Sequence, residues 1–262
     1  MDDCPTCPRC GARPARDAAS PDLCPSCLFI EALRGEAADE SPAIDEHYEV
    51  VNVLGEGRYG TTYLAHLRHA PETPVAVKIL HARRPHAEWR SRLQTYVTTM
   101  TAVNHPRIAR VLDTGVEPDG RAYLVTDFVL GRRILTHCVR SRLAVRERLR
   151  LFADVCSTID AAHRRGFVHG HVVPENVLVS THEGKSVARV LDFALSTLAG
   201  DQLTEPADDR LAMTALLAQL LAVDDSNDAG LASSHSHVRI VQAIGNCRTA
   251  EAMADVAEAL VK

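Results

Sequence analysis

The feature that most constrains this chain is a glycine-spaced turn set between β-rich runs. YEVVNVL (48–54) leads without a break into GEGRYGTTY (55–63). Tyr63 and Leu64 follow Thr61 and Thr62, so the pattern predicts strand–turn–strand rather than strand–turn–helix. Gly55, Gly57 and Gly60 would let the backbone approach a phosphate chain and aim N–H groups at it. A plain hairpin turn would use the same glycines. PVAVKIL (74–80) follows as a strand with one charge, Lys78, in an apolar run. A cation there needs a partner, which a phosphate would supply; the bland alternative is an edge lysine that snorkels to water.

Cysteine usage divides the chain. Five of the eight cysteines lie in the first 27 residues: Cys4, Cys7, Cys10, Cys24 and Cys27. Cys7-x2-Cys10 and Cys24-x2-Cys27 form two knuckles separated by 13 residues. Four thiolates on two tight turns can converge on one tetrahedral metal, and the pattern resembles a zinc ribbon. Cys4-x2-Cys7 is a competing first knuckle, but Gly11 directly follows Cys10 and suits a turn that needs positive φ. So short a module has little core of its own, so zinc is expected to be structural. Its Arg9, Arg13 and Arg16 are offset by nearby aspartates, which argues against a phosphate grip. Leu28 to Leu33 reads as a short helix. The acidic, Ala-rich stretch that follows, broken by Pro42, reads as a linker.

Charge and hydropathy exclude other classes. With 29 basic against 34 acidic residues, a broad basic surface for nucleic acid is not expected. No run of 18 apolar residues predicts a membrane-spanning helix. The opening MDDCPTCPRCG has no apolar core of a secretory signal, so a cytoplasmic protein with reduced thiols is expected.

From the glycine turn onward the chain resembles the protein kinase family, especially bacterial Ser/Thr kinases. The family's ordered motifs have counterparts here in GEGRYG, VAVK ending at Lys78, HGHVVPEN ending at Asn176, and DFA ending at Ala194. AYLVTDF (122–128) resembles the fifth strand and hinge, with Thr126 at the gatekeeper place, and HPRIARVLDTG (105–115) resembles the segment after helix C. A cysteine ribbon ahead of such a domain is also similar to some bacterial kinases. The resemblance implies an α+β, two-lobed kinase-like fold with a shortened C-lobe, preceded by a small zinc ribbon. The boundaries are a ribbon at 1–33, a linker at 34–46 and the kinase-like domain at 47–262, with an N-lobe at 47–126 and a C-lobe at 129–262. It further implies that Gly55, Gly57, Gly60, Ala76, Lys78 and Leu178 contact a nucleotide, that Asn176 and Asp192 hold Mg²⁺, and that Met100, His169 and Phe193 belong to a stacked internal spine. Three apolar helices agree with this layout. Residues 145–163 place Leu149, Phe152, Cys156, Ile159 and His163 on one face; 209–222 match the buried helix F; 249–261 place Met253, Val256 and Leu260 together. His235 and His237 are expected in a solvated loop.

The chemistry departs from that pattern. Phosphoryl transfer needs positioning and charge compensation. The family's catalytic Asp is His171 here, its phosphate-facing Lys is Val173, and its loop Arg is Gly170. Counting back from His105 puts Tyr96 where helix C offers a Glu to the strand-three Lys, and a neutral phenol cannot replace that charge. Ala194 replaces the motif's glycine, which is compatible only with a backbone that needs no positive φ there. Asp192 and Asp209 are only 17 positions apart, leaving little room for an activation loop and a peptide platform. The expected protein is therefore a pseudokinase that binds ATP weakly or not at all and works through a signalling partner. Two alternatives stand beside it. One is an active Ser/Thr kinase with His171 as base and Mg²⁺–ATP as substrate. The other is a zinc-ribbon adaptor for protein or nucleic acid.

Overall fold

The computed structural model describes residue 44 and residues 47–182, 185–201, 205–223 and 234–261. The cysteine knuckles, the helix expected at 28–33 and nearly all of the linker lie outside the described residues. The chain divides into two compact units, the first running to Val97 with Arg110–Leu130, the second comprising Thr98–Ala109 with the residues from Gly131 onward.

In the first unit, five strands form one sheet: β1 (Tyr48–Glu56), β2 (Gly60–Leu67), β3 (Ala70–Arg83), β4 (Val111–Val116) and β5 (Arg121–Asp127). Their order is β1-β2-β3-β5-β4, with every neighbouring pair antiparallel. Strand alternation decides the faces of β3. Val75, Val77 and Ile79 pack with Ile44, Tyr48, Ala65, Tyr123 and Val125 in one cluster. Ala76, Lys78 and Leu80 therefore take the other face. The Tyr48 hydroxyl donates to Asp113 at 2.8 Å and its ring meets Tyr123 edge-on, which fixes the start of β1.

Helix α1 (His86–Val103) follows β3. Trp89, fully buried, anchors its first turn by donating from Nε1 to the Gly120 carbonyl at 2.9 Å. Burial of an indole costs little when its one donor is satisfied.

The second unit carries a small sheet and most of the helices. Strands β6 (Arg132–Arg133), β7 (Val177–His182) and β8 (Lys185–Val190) pair in that order. The helices are α2 (Ile134–Arg140), α3 (Val145–His163), α4 (Leu195–Ala199), α5 (Pro206–Ala222), α6 (Ser234–Gly245) and α7 (Ala250–Ala259). The bounds of α3 coincide with the expected 145–163 helix, and Leu149, Phe152, Cys156 and Ile159 are buried as its periodicity requires. Helix α5 starts three residues earlier than expected, at Pro206, because proline suits the first turn and Asp208 accepts from the Glu205 N–H. The α7 face is shifted: Met253 is buried as expected, but its neighbours in the core are Ala250, Ala254 and Ala257. His235 and His237 fall in the first turn of α6, not in a loop. The apolar spacing of Val238, Val241 and Ile244 carries the helix back through the Ser/His run.

Helix α3 also secures its neighbours' ends. Arg148, 1% exposed, donates from Nε to the Leu143 carbonyl at 2.8 Å and from Nη1 to the carbonyls of Leu220 and Val223 at 3.2 and 2.9 Å. It thus places a cation on the open carbonyls at the α5 C-terminus. One turn before the α3 end, Asp160 accepts the Glu251 N–H at 3.1 Å, and Thr249 accepts from Ala252, so the N-terminus of α7 is doubly capped.

Candidate active site

Within the first unit, the glycine turn closes on itself and on β3. The Gly57 N–H donates to the Gly60 carbonyl at 3.0 Å, and the His81 N–H donates to the Tyr59 carbonyl at 2.9 Å. Tyr59 is buried, with the Arg58 guanidinium 5.5 Å over its ring. The glycines serve different ends. A Cβ on Gly60 would stand 2.1 Å from the Ile79 carbonyl oxygen, so strand packing alone demands glycine there. A Cβ on Gly57 would meet only the Gly60 oxygen, at 3.9 Å, so packing demands nothing.

Lys78 is buried on β3, pairing with Thr62 and Leu124 across the sheet. Ala76, on the same face, is opposite Thr126, whose hydroxyl donates to the Ala76 carbonyl at 3.5 Å. Tyr96 is buried on α1. The acidic residue of that helix's first turn, Glu88, is paired with Arg84 and Arg92.

In the second unit, a buried carboxylate organises the loop before β7. Asp209 of α5, 1% exposed, accepts the His169 N–H and the Gly170 N–H, both at 2.8 Å, and the His163 Nε2 at 2.8 Å. Burial works against its charge, but the bonds from His163 and the two backbone donors outweigh that and hold the carboxyl below the usual range. The His169 ring is committed at both nitrogens. Nδ1 accepts the His171 N–H at 3.1 Å, so Nε2 carries the proton and donates to the Leu191 carbonyl at 2.9 Å. Full burial pushes the His169 pKa down and keeps the ring neutral. Its edge meets the Phe193 ring at 5.1 Å, as the spine resemblance implies.

Asn176 sits in a short 3-10 turn (Pro174–Asn176) and is buried. Its Nδ2 donates to the His171 carbonyl at 3.0 Å, and its own carbonyl accepts the Leu191 N–H at 2.8 Å. With Nδ2 so engaged, Oδ1 is the Asn176 side-chain atom left to meet a cation, and a hard dication prefers such oxygen donors. Asp192 follows Leu191 directly and is half-buried. Leu178, half-buried, is on β7 opposite Arg189.

These backbone positions include two departures from easy geometry. Gly170 has φ 77°, where glycine is at ease. Asp192 and Ala194 have φ 57° and 55°. The sequence expectation that Ala194 implies a relaxed backbone is thus corrected: the left-handed conformation persists without glycine. It is held by the Ala194 N–H, which donates to the His169 carbonyl at 3.1 Å. Among the described residues, no group of three or more His, Cys, Asp or Glu could hold a metal ion; Asp209 and Leu191 engage His163 and His169 instead.

The family model for protein tyrosine and serine/threonine kinases matches residues 48–216. The chain belongs to the protein kinase family. The probable serine/threonine-protein kinase pknA2 of Bifidobacterium longum is 31% identical over 189 residues, which are 69% of this chain and 24% of that protein. The serine/threonine-protein kinase Pkn1 of Myxococcus xanthus is 29% identical over 208 residues, 74% of this chain and 29% of that one. The chain thus spans 24% and 29% of the length of these curated relatives. The crystal structure of the Mycobacterium tuberculosis PknI kinase domain superposes with a TM-score of 0.60 at 23% identity, covering 86% of this chain and all of that one. The fold is therefore the kinase fold, with a β-sheet lobe and a helical lobe. No helix among the described residues is long and apolar enough to cross a membrane.

Kinases typically use ATP and magnesium. The buried Asp209 tie and the His81, Trp89 and Arg148 anchors were not legible as such in the sequence. Asp209 itself was identified as the helix F aspartate, but the role of His163 as its partner became visible only through their 2.8 Å contact.

Proposed function

We propose that this kinase-family domain is a pseudokinase: it holds a nucleoside triphosphate weakly and acts as a scaffold or regulator for a signalling partner. The observation that carries the reading is the loop around His171. Its backbone is supported by Asp209, His169 and Asn176, yet its side chain is an imidazole where the family presents a carboxylate. The loop is held for a job whose base has been replaced.

On this reading the glycine turn and Lys78 meet the phosphates, Ala76 and Leu178 contact the base, and Asn176 Oδ1 and the Asp192 carboxylate hold magnesium. The cation, when bound, supplies charge compensation for the phosphates. Val173 and Tyr96 add no charge to that task. Only 13 residues separate Asp192 from α5, with α4 among those described, which supports a reduced platform for a peptide acceptor. The cysteine module at 1–33 is proposed to bind zinc structurally and to lead, through 34–46, into the domain at 47–262.

Thermal unfolding with ATP, with and without Mg²⁺, tests the nucleotide part. A ligand bound only by the native state raises the melting temperature, by mass action. The expected result is a rise at millimolar ATP that grows with Mg²⁺ and is smaller in Asp192→Ala. No rise at all would remove the nucleotide from the proposal and leave the scaffold alone.

A further inference from the structure

The glycine turn is attached to β3 by a side chain that the kinase motifs do not include. His81 Nε2 lies 3.2 Å from the Gly57 carbonyl oxygen. A carbonyl can only accept, so Nε2 carries the hydrogen and donates it. Glu56 Oε1 is 3.8 Å from the same nitrogen. The main chain supports this contact: Gly60 is opposite Leu80 in the β2–β3 register, and the His81 N–H extends the pairing one step to Tyr59.

The direction of that hydrogen bond has a chemical consequence. Alternation along β3 puts His81 on the Ile79 face, opposite Lys78. The Gly57 carbonyl is drawn toward the His81 ring. In a planar trans peptide the C=O and the following N–H point in opposite directions. The Arg58 N–H is therefore turned away from His81. Gly57 has no packing reason to be glycine, which fits a peptide that must come close to a ligand.

We propose that His81 is a positioning residue for phosphate binding: by holding the Gly57 carbonyl it aims the Arg58 amide at the phosphates of a nucleotide. The inference rests on the nucleotide reading above and deepens it. His81 touches no ligand itself. It fixes one peptide plane, so that a donor is already oriented when an anion arrives.

Titrations of ATP and of adenosine into the full chain, followed by amide NMR, test this in wild type, His81→Ala and His81→Gln. In wild type, ATP shifts the Arg58 amide resonance and adenosine does not. His81→Ala weakens ATP about five- to tenfold, the scale of one lost hydrogen bond, and leaves adenosine within about twofold. His81→Gln, whose amide can donate to the same carbonyl, restores ATP affinity to within about threefold of wild type. Equal weakening of ATP and adenosine means a loosened sheet and overturns the proposal. Unchanged ATP affinity in His81→Ala overturns it too, while leaving the nucleotide reading intact. Absence of ATP binding by wild type overturns both.

Discussion

Gly57 and Gly60 are alike in sequence and opposite in reason. Gly60 is glycine because a methyl group would overlap the Ile79 carbonyl; Gly57 has room. Gly60→Ala is expected to cost about 3 kcal/mol by forcing β2 away from β3, whereas Gly57→Ala should stay within about 0.5 kcal/mol of wild type. Urea denaturation checks both; equal losses would show that packing explains neither. The spacing of the turn was legible in the sequence, but the difference between its glycines was not, since it depends on a backbone atom some twenty residues away. His169 gives a second expectation. Its folded pKa lies below the ordinary 6.5 because of burial, as do those of His105 and His137. A buried neutral histidine contributes stability above its unfolded pKa, and that contribution is lost as pH falls below it. On acidification from pH 7 to 5.5, wild type should therefore lose more stability than His169→Gln. Chemical denaturation across that range decides it, and parallel slopes would contradict the assignment. Asp209, with its pKa lowered, adds a loss of the same sign at lower pH.

At the scale of elements, helix α3 was the most legible part of the chain. Its apolar period gave both bounds and the buried face, because one stripe of Leu, Phe, Cys and Ile can be satisfied in only one way. What the period hides is Arg148, a charged residue next to that stripe that reads as surface and is in fact 1% exposed. Its partners are carbonyls at the end of α5 and before α3, and backbone acceptors leave no mark in a side-chain pattern. The same blindness covers Asp160 at the start of α7. Arg148→Met keeps the volume and strands three carbonyls. It should destabilise by about 2–4 kcal/mol, read as a fall in the denaturation midpoint. A change under about 0.5 kcal/mol would show that the α5 C-terminus does not depend on it. The first turn of α6 shows the converse: Ser and His read as loop, yet the apolar residues behind them decided the structure.

Across the whole molecule, the ordered motifs made the two-lobed kinase fold readable, since each motif brings its own supersecondary unit in a set sequence. Candidate site residues could be placed on the family's motifs, but their couplings were not readable. That Asp209 carries two backbone donors and His163, that His169 is locked in one tautomer, and that Ala194 takes a left-handed backbone all follow from tertiary contacts. Together they describe a loop that is held in place while the residue at the family's catalytic Asp position, His171, carries an imidazole. The central claim is that this domain grips a triphosphate without passing on its terminal phosphoryl group. The most direct measurement is incorporation of label from γ-labelled ATP with Mg²⁺, into the protein itself and a general acceptor protein, in wild type and Asp192→Ala. The account predicts equal, background incorporation in both. Incorporation by wild type that Asp192→Ala abolishes would contradict it and establish a working kinase.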